Sequence, residues 1–313
     1  MGEIENQTGE LFGDLWHRYS DAQFKHSAEL FAQRWRANGE RPDFFRGKAC
    51  LDIGCGGGRY SFAMALLGAT KVIGVDIGES GLNDAAKRKE TMGCSNVEFR
   101  QASALKLPFS EATFDFVCCS GVLHHTLSVE HGLAEIRRVL RPGGSAYLLL
   151  YGSGGLYWPL NLITRAFAHH LGYPEVDRCC ASAGFAPAKR RTILDDLFVP
   201  VLETYTNERV ECLLKNAGFA RWRRWPGGQM DHEESPESLV KELEQREHLW
   251  RAGSKTAPPM CRSIELCLAE MCKSTINAAR SVIDQAVRGK CSADEERRVI
   301  IGCGHHRIIA EVP

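Results

Sequence analysis

The stretch LDIGCGGGRY, residues 51–60, is a short apolar run followed by closely spaced glycines, including Gly54, Gly56 and Gly58. This pattern is typical of a turn between a strand and a helix. There, free backbone N–H groups and the positive end of the helix dipole face the carboxyl edge of a sheet. Because glycine has no side chain, a ligand can approach such a backbone closely. The stretch therefore predicts a ligand-binding turn.

The residues around this turn argue against a dinucleotide. In the dinucleotide pattern G-x-G-x-x-G the third glycine would stand at position 59, which is Arg59 here. Asp52 precedes the glycines, and its carboxylate would repel a pyrophosphate. It suits a ligand with a cationic end, such as an ammonium or a sulfonium group.

A second carboxylate, Asp76, ends the apolar run VIGVD, 24 positions after Asp52. At the end of a second strand, such a side chain can accept hydrogen bonds from both hydroxyls of a ribose. The alternative role is to cap the following helix. Taken together, the two carboxylates favour a ligand that carries a ribose and a cationic amino-acid end.

Adjacent histidines, His124 and His125 in GVLHHT, are the candidates for a general base. Histidine is the side chain whose unperturbed pKa lies near physiological pH, and this loop follows a predicted strand, so it opens at the same edge of the sheet. The alternative is that these histidines pack against the ligand site and support it without accepting a proton.

Other polar and aromatic residues could contact a second substrate. Trp16 and Tyr19, in the N-terminal segment, could close over the site or simply anchor their helices. Each of the remaining candidates also has a structural or surface alternative; they are Tyr151, Asp195, Asp196, Tyr205, Asp231 and His232.

Two basic groups, residues 189–191 and the arginines at 221, 223 and 224, have two interpretations. If they line a pocket, they favour an anionic substrate, because arginine binds carboxylates and phosphates well. Otherwise they are solvated faces of the protein.

The elements that position these residues follow from a regular alternation between residues 49 and 151. Apolar runs that predict strands are separated by segments with helical spacing; the strands are ACLDI, KVIGVD, VEFRQAS, FDFVCCSG and SAYLLLYG. Strands separated by helices pair in parallel through right-handed crossovers. We therefore expect an α/β fold with a doubly wound sheet.

Four regions are predicted along the chain. Residues 1–46 form an N-terminal helical cap, residues 47–152 the ligand-binding core, and residues 153–205 an insertion that could cover a substrate. Residues 206–313 complete the core sheet and contain a helical insertion at about 235–290. The strand-like ending RVIIGCGHHRIIAEV is expected to pair beside FARWRRW.

Composition narrows the function further. The formal net charge of the 313 residues is zero, so no global field attracts nucleic acid, and nucleic acid is not the expected partner. The beginning of the chain lacks a secretory signal and no stretch is long enough to span a membrane, which predicts a cytoplasmic protein. The 13 cysteines form no CxxC motif, so no metal site is expected.

The motifs LDIGCGGGRYSFAMALLGATKVIGVDIGESGL, LPFSEATFDFVCCSGVLHHT and EIRRVLRPGG, taken in order, resemble those of class I S-adenosylmethionine-dependent methyltransferases. The likeness covers about residues 47–151, and it is closest to the small-molecule group that includes enzymes of ubiquinone and menaquinone biosynthesis. It implies a Rossmann-like sheet of seven strands with an antiparallel last strand, and S-adenosylmethionine as the cofactor.

The resemblance also assigns roles to individual residues. Asp52 and the glycine turn at Gly54, Gly56 and Gly58 would hold the methionine part of the cofactor, and Asp76 would hold the ribose hydroxyls. The remaining positions would lie against adenine or along the methionine side that faces the substrate; they are Ile77, Ser103, Ala104, Ser120 and Gly121.

Ser103 departs from the family pattern, in which an acidic residue at this position receives the amino group of adenine. A hydroxyl can still accept a hydrogen bond, but without the contribution of a charge.

The sequence thus predicts methyl transfer from S-adenosylmethionine to a small-molecule acceptor, at oxygen first, with carbon and nitrogen as alternatives. The acceptor would lie in a pocket covered by the N-terminal helices and by residues 153–205. Two other functions stay open: a methyltransferase acting on RNA or protein, and a non-catalytic cofactor-binding or scaffold protein, which Ser103 makes conceivable.

Overall fold

The computed structural model describes residues 2–13, 21–225 and 235–313. Trp16, Tyr19, Asp231 and His232 lie outside these residues. The described chain folds into two compact units. The first, here called the sheet unit, contains residues 2–13, 21–151, 200–225 and 305–313; the second, the helical unit, contains residues 152–199 and 235–304.

The sheet unit is built on seven strands in the order β3-β2-β1-β4-β5-β7-β6. Strands β1 to β5 pair in parallel with their neighbours, whereas β7 runs antiparallel to both β5 and β6. The strands are β1 (Ala49–Ile53), β2 (Lys71–Asp76), β3 (Val97–Gln101), β4 (Phe114–Ser120), β5 (Leu140–Tyr151), β6 (Arg221–Arg224) and β7 (His305–Glu311). The predicted doubly wound sheet with its reversed last strand is confirmed.

Helices cover both faces of this sheet because the right-handed crossovers proceed in one direction from β1 to β3 and in the opposite direction from β4 to β5. The helices of the sheet unit are α1 (Glu3–Gly13), α2 (Asp21–Ala37), α3 (Arg59–Leu66), α4 (Glu79–Thr91), α5 (Val129–Val139) and α9 (Asn207–Asn216). One core joins α5 and α9 to the sheet, and another joins α2 and α3 to it. Phe24, Phe31 and Trp35 of α2 are fully buried in the second core, so these aromatic residues pack the core.

The helical unit has its own apolar core, which includes Leu197, Trp250 and Leu268. Its helices are α6 (Tyr157–Leu171), α7 (Tyr173–Ser182), α8 (Pro187–Phe198), α10 (Pro236–Ser254), α11 (Pro259–Val287) and α12 (Ala293–Ile300). The two segments that the sequence analysis separates, 153–205 and 235–290, therefore contribute to one folded unit.

The strand-like prediction for the end of the chain was only partly right. Residues 293–300 form α12, whose N-terminus is closed by a capping box between Ser292 and Glu295, and the strand begins at His305. The run of apolar residues at 299–301 belongs to the end of the helix. Capping decides this local structure, because the box satisfies N–H groups that a helix would otherwise leave open.

None of the helices in the described ranges combines the length and the apolar character needed to cross a membrane.

Candidate active site

A cavity lies in the sheet unit at the carboxyl ends of its parallel strands. Its lining comes from the turns that follow β1, β2, β3 and β4, together with one face of α1. In doubly wound folds this edge is where ligands bind. Among the described lining residues, the ionisable side chains are those of Glu5, Asp76 and His125, so the cavity suits a cationic ligand better than a phosphate.

The glycine turn forms one side of the cavity. Gly54 has φ +66°, and a Cβ added there would come within 2.2 Å of a Val122 methyl carbon, so glycine is required on two grounds. Gly54 and Gly56 line the cavity, but Gly58 does not. A Cβ on Gly58 would meet the Phe99 ring at 2.7 Å, and its φ is +85°; this glycine serves the packing beneath the turn.

Asp76 is held at the centre of this edge by two backbone bonds. The Gly56 N–H donates to its Oδ2 at 2.7 Å, and the Gly78 N–H donates to its Oδ1 at 2.8 Å. Burial raises the pKa of this carboxyl, although both N–H groups act in the opposite direction. The N-cap residue of α4 is Gly78, so Asp76 is not the cap that its alternative role required. Each carboxylate oxygen retains a lone pair for a ligand.

Asp52 does not line the cavity. Its side chain is buried, and the Ser61 hydroxyl donates to its Oδ2 at 2.6 Å. Burial raises the pKa of Asp52 to about 7, because the hydrogen bonds from Ser61 only partly offset the loss of water around the charge. This carboxyl therefore titrates near neutral pH in the cofactor-free protein.

Ser103 and Ala104 line the cavity together with Ile77. The Ser103 hydroxyl donates to Oε1 of Glu5, a residue of α1, and accepts the Leu105 N–H at 3.1 Å. A carboxylate from a distant part of the chain thus lies beside position 103, where the sequence supplies only a hydroxyl.

Ser120 and Gly121, at the end of β4, line the cavity. In the loop that follows them, the two adjacent histidines have different surroundings. His124 is fully buried and stacks on the Tyr151 ring with centroids 3.8 Å apart. Burial, and then the neighbouring His125 and His305, lower the pKa of His124 well below its usual value. His124 is therefore neutral near pH 7 and does not line the cavity.

His125 lines the cavity. Its Nδ1 lies 2.8 Å from the Val201 carbonyl oxygen, an acceptor, so the ring proton is assigned to Nδ1 and the lone pair to Nε2. The Phe12 ring of α1 lies 5.3 Å from the His125 ring. Of the two adjacent histidines, His125 is therefore the one in the cavity lining.

Comparison with known proteins identifies the family. Residues 51–148 match the family model described as a methyltransferase domain. The ubiquinone biosynthesis O-methyltransferase of Pseudomonas syringae pv. tomato is 33% identical over 177 residues, which cover 53% of this chain and 75% of that relative. The enzyme of the same name from Aromatoleum aromaticum is 30% identical over 212 residues, 62% of this chain and 87% of the relative. The chain belongs to the class I S-adenosylmethionine-dependent methyltransferases.

Solved structures agree on the fold of this methyltransferase. The crystal structure of the [4+2]-cyclase SpnF superposes with a TM-score of 0.50 at 18% identity, over 95% of this chain and 83% of that one. At this identity the likeness concerns the fold alone. The predicted enzyme class and the predicted cofactor, S-adenosylmethionine, are confirmed by the family.

The described acceptor-side candidates of the methyltransferase do not line the cavity. Tyr151 stacks on His124, and the Tyr205 hydroxyl donates to Glu203 at 2.6 Å. Asp196 lies in the helical unit, where Arg246 and Asn161 donate to its Oδ2 at 2.6 and 3.0 Å. These contacts favour the structural alternative for all three residues.

The basic groups of the methyltransferase also have partners. Lys189, Arg190 and Arg191 pair with Glu242, Asp177 and Asp195. Arg221 and Arg223 pair with Glu311 and Glu40, and Arg224 donates to Asn207. These contacts favour the surface interpretation over an anion-binding pocket.

Sequence reasoning predicted that N-terminal helices cover the pocket, but it did not identify the residues of α1 that line the cavity. The residues concerned repeat at helical spacing along one face; they are Ile4, Glu5, Thr8, Gly9 and Phe12. The i, i+4, i+8 spacing of Ile4, Thr8 and Phe12 was a visible signal of a helix face that must be covered. Nothing in that spacing indicates what the face packs against.

Proposed function

We propose that this methyltransferase binds S-adenosylmethionine in the cavity of the sheet unit and methylates an oxygen atom of a small-molecule acceptor. In this arrangement Asp76 accepts hydrogen bonds from the ribose hydroxyls, and the turn at Gly54 and Gly56 takes the methionine part. Ile77 and Ala104 provide an apolar surface for adenine. The bound cofactor supplies an electrophilic methyl group on a positively charged sulfur.

The composition of the cavity supports this placement. A sulfonium and an ammonium group both carry positive charge, and the described lining holds two carboxylates and no lysine or arginine. Asp52, buried below the turn, can ionise when a cation binds nearby, since an opposite charge favours the ionised form. The same lining does not favour a phosphate-rich substrate.

The position of His125 is the observation that carries the choice of oxygen. A hydroxyl acceptor must lose its proton as it becomes an ether, and His125 lines the cavity next to the loop that bears Ser120 and Gly121. With its ring proton directed to the Val201 carbonyl, Nε2 is the nitrogen that would take that proton. The relatives named as ubiquinone biosynthesis O-methyltransferases support the same type of acceptor.

The remaining contribution of the protein is position. Methyl transfer is an in-line displacement, so holding the acceptor against the methyl group and excluding water account for much of the rate. Residues of α1 such as Phe12, which contacts His125, would help to exclude water.

The test is turnover with a panel of acceptors that differ in the accepting atom: catechols, the matching anilines, and activated carbon acids. Formation of S-adenosylhomocysteine and the mass of the methylated product are measured. We expect methylation of catechols and an approximately 100-fold lower kcat for His125→Ala, with an unchanged dissociation constant for S-adenosylhomocysteine.

His131→Ala is the matched control, because His131 is exposed on α5 and lies outside the cavity lining. It should keep full activity. Methylation of the anilines or carbon acids alone would refute oxygen as the accepting atom, and full turnover by His125→Ala would refute the role of His125.

A further inference from the structure

The cavity has two carboxylates at different places in its lining. Asp76 ends β2, whereas Glu5 comes from α1 and lies beside Ser103, which follows β3. In the proposed function, Asp76 binds the ribose hydroxyls. Glu5 is assigned no contact with the cofactor in that proposal, although it lies in the lining next to the position from which the family's acidic residue is missing.

The carboxylate of Glu5 is held in place by two donors. The Ser103 hydroxyl donates to Oε1, and the Gly2 N–H donates to Oε2 at 2.9 Å. Because Ser103 Oγ accepts the Leu105 N–H, its own hydrogen is directed to Glu5. Each carboxylate oxygen has about two lone pairs, so one on each oxygen is still available to a ligand.

The helix that carries Glu5 is closely packed against the turn after β2. A Cβ on Gly9 would lie 3.3 Å from both the Gly78 nitrogen and Ile77 Cγ1, and a Cβ on Gly78 would lie 2.9 Å from the Gly9 carbonyl oxygen. Two glycines thus allow backbone to approach backbone. This contact fixes how closely α1 approaches the turn after β2, and therefore the position of Glu5 in the cavity lining.

From these contacts we infer that Glu5 recognises the exocyclic amino group of the cofactor's adenine and replaces the carboxylate that is missing at position 103. The inference rests on the proposed placement of the cofactor. Ile77, Ala102 and Ala104 line the cavity near Ser103 and provide the apolar surface on which a purine can lie. Ser103 then acts as a positioning residue that holds the Glu5 carboxylate.

The chemistry of the two partners fits this role. An exocyclic amino group is a donor and an ionised carboxylate is an acceptor only, so the pair forms a charge-assisted hydrogen bond. A purine with a carbonyl in the same place, such as hypoxanthine, would bring two acceptors together. Glu5 therefore selects for adenine, which a serine at position 103 cannot do, because a hydroxyl can donate as well as accept.

Calorimetry with two ligands that differ only at this atom tests the inference: S-adenosylhomocysteine and S-inosylhomocysteine. The wild-type protein should prefer the adenosine compound by roughly 10- to 100-fold. In Glu5→Gln this preference should fall to about threefold or less, because an amide can rotate to donate to the carbonyl or to accept from the amine. Glu3→Gln, an exposed acid on the same helix, is the control and should keep the preference.

A rescue variant separates recognition from simple damage to α1. In Glu5→Gln with Ser103→Asp, a carboxylate returns to position 103 from the other side, and the preference for S-adenosylhomocysteine should recover. Rescue would exclude a merely structural role for Glu5, since the glutamine remains in α1.

Two outcomes overturn the inference in distinguishable ways. If Glu5→Gln keeps the full preference for S-adenosylhomocysteine while Asp76→Ala loses binding, the cofactor is placed correctly and Glu5 does not recognise the adenine. If Asp76→Ala binds both ligands as the wild type does, the proposed placement of the cofactor is wrong, and the role of Glu5 fails with it.

Discussion

The cavity has two walls that are built in different ways. The sheet wall consists of the turns after β1 to β4, and the helix wall is the face of α1 that carries Glu5, Gly9 and Phe12. In the sheet wall, backbone hydrogen bonds to Asp76 and glycines with positive φ hold each group directly on the strands. In the helix wall, position depends on one close glycine contact and on side-chain bonds such as that from Ser103 to Glu5.

This difference indicates that the two walls have different roles in binding the cofactor. Groups on strand ends are pre-organised by the same interactions that form the sheet, so they change stability and binding together. Groups on α1 contribute recognition and closure, and their loss should change binding with little effect on the folded core. The predictions below test this division.

Removal of the Asp76 carboxylate should have the largest effect on binding. Asp76→Ala deletes the acceptor for the ribose hydroxyls, and two hydrogen bonds to a charged group correspond to about 1000-fold in the dissociation constant of S-adenosylhomocysteine. Calorimetry measures this constant.

Asp115→Ala is the matched control for that variant. Asp115 also accepts two bonds, from the Ala49 N–H at 2.8 Å and from Arg141 at 2.8 Å, but at the beginning of β4. It should lose stability and keep its affinity within about twofold. Equal losses of affinity in the two variants would show that the effect is general destabilisation rather than loss of a ribose contact.

The buried carboxyl of Asp52 should give the sheet wall a pH-dependent stability. Because its folded pKa is raised to about 7, the folded state keeps a proton that the unfolded chain releases near pH 4, and the stability from that proton is lost as the pH rises through 7. The free energy of unfolding of the wild type, relative to Asp52→Asn, should fall by roughly 2–3 kcal/mol between pH 5 and pH 8. Urea denaturation across this range measures it.

Asp115, whose pKa is shifted in the opposite direction, provides the control for Asp52. Burial acts to raise the pKa of Asp115, but the Ala49 N–H and Arg141 outweigh it and the pKa is lowered. The stability that Asp115 adds relative to Asp115→Asn should therefore be present above about pH 4 and be lost in more acidic solution. A constant difference for Asp52 between pH 5 and pH 8 would mean that its carboxyl is ionised in the folded protein.

The smallest expected effect concerns the helix wall. Gly9→Val places a branched side chain against the Gly78 backbone and should displace α1, which weakens cofactor binding about tenfold with little change in the free energy of unfolding. Gln7→Val is the control, because Gln7 is exposed on the same helix and lies outside the cavity lining. Wild-type affinity in Gly9→Val would show that the helix wall is dispensable for the cofactor.

The sheet wall could be read from the sequence because its determinants are local. A strand, a glycine turn and a helix follow one another within residues 49–66, and Asp76 ends the next strand. Apolar residues repeat with a period of two in strands and of 3.6 in helices, and glycines mark the turn, so these signals are sufficient to predict the elements of this wall. The two histidines show what local sequence patterns cannot predict. They are neighbours in one short turn, yet His124 is fully buried against Tyr151 and His125 lines the cavity.

By itself, the sequence determined the α/β class and the carboxylate on β2, since each depends on patterns within a few neighbouring residues. The methyltransferase family and the seven-stranded sheet followed from the resemblance of three motifs, taken in order along residues 47–151, to that family. The tertiary structure alone decided that His125 rather than His124 lines the cavity and that residues 152–199 and 235–304 form one unit. It also decided that Glu5 lies beside Ser103, 98 positions along the chain. Contacts of this kind depend on how separate helices pack against the sheet, and the spacing of residues in any one segment does not record which distant segment it will meet.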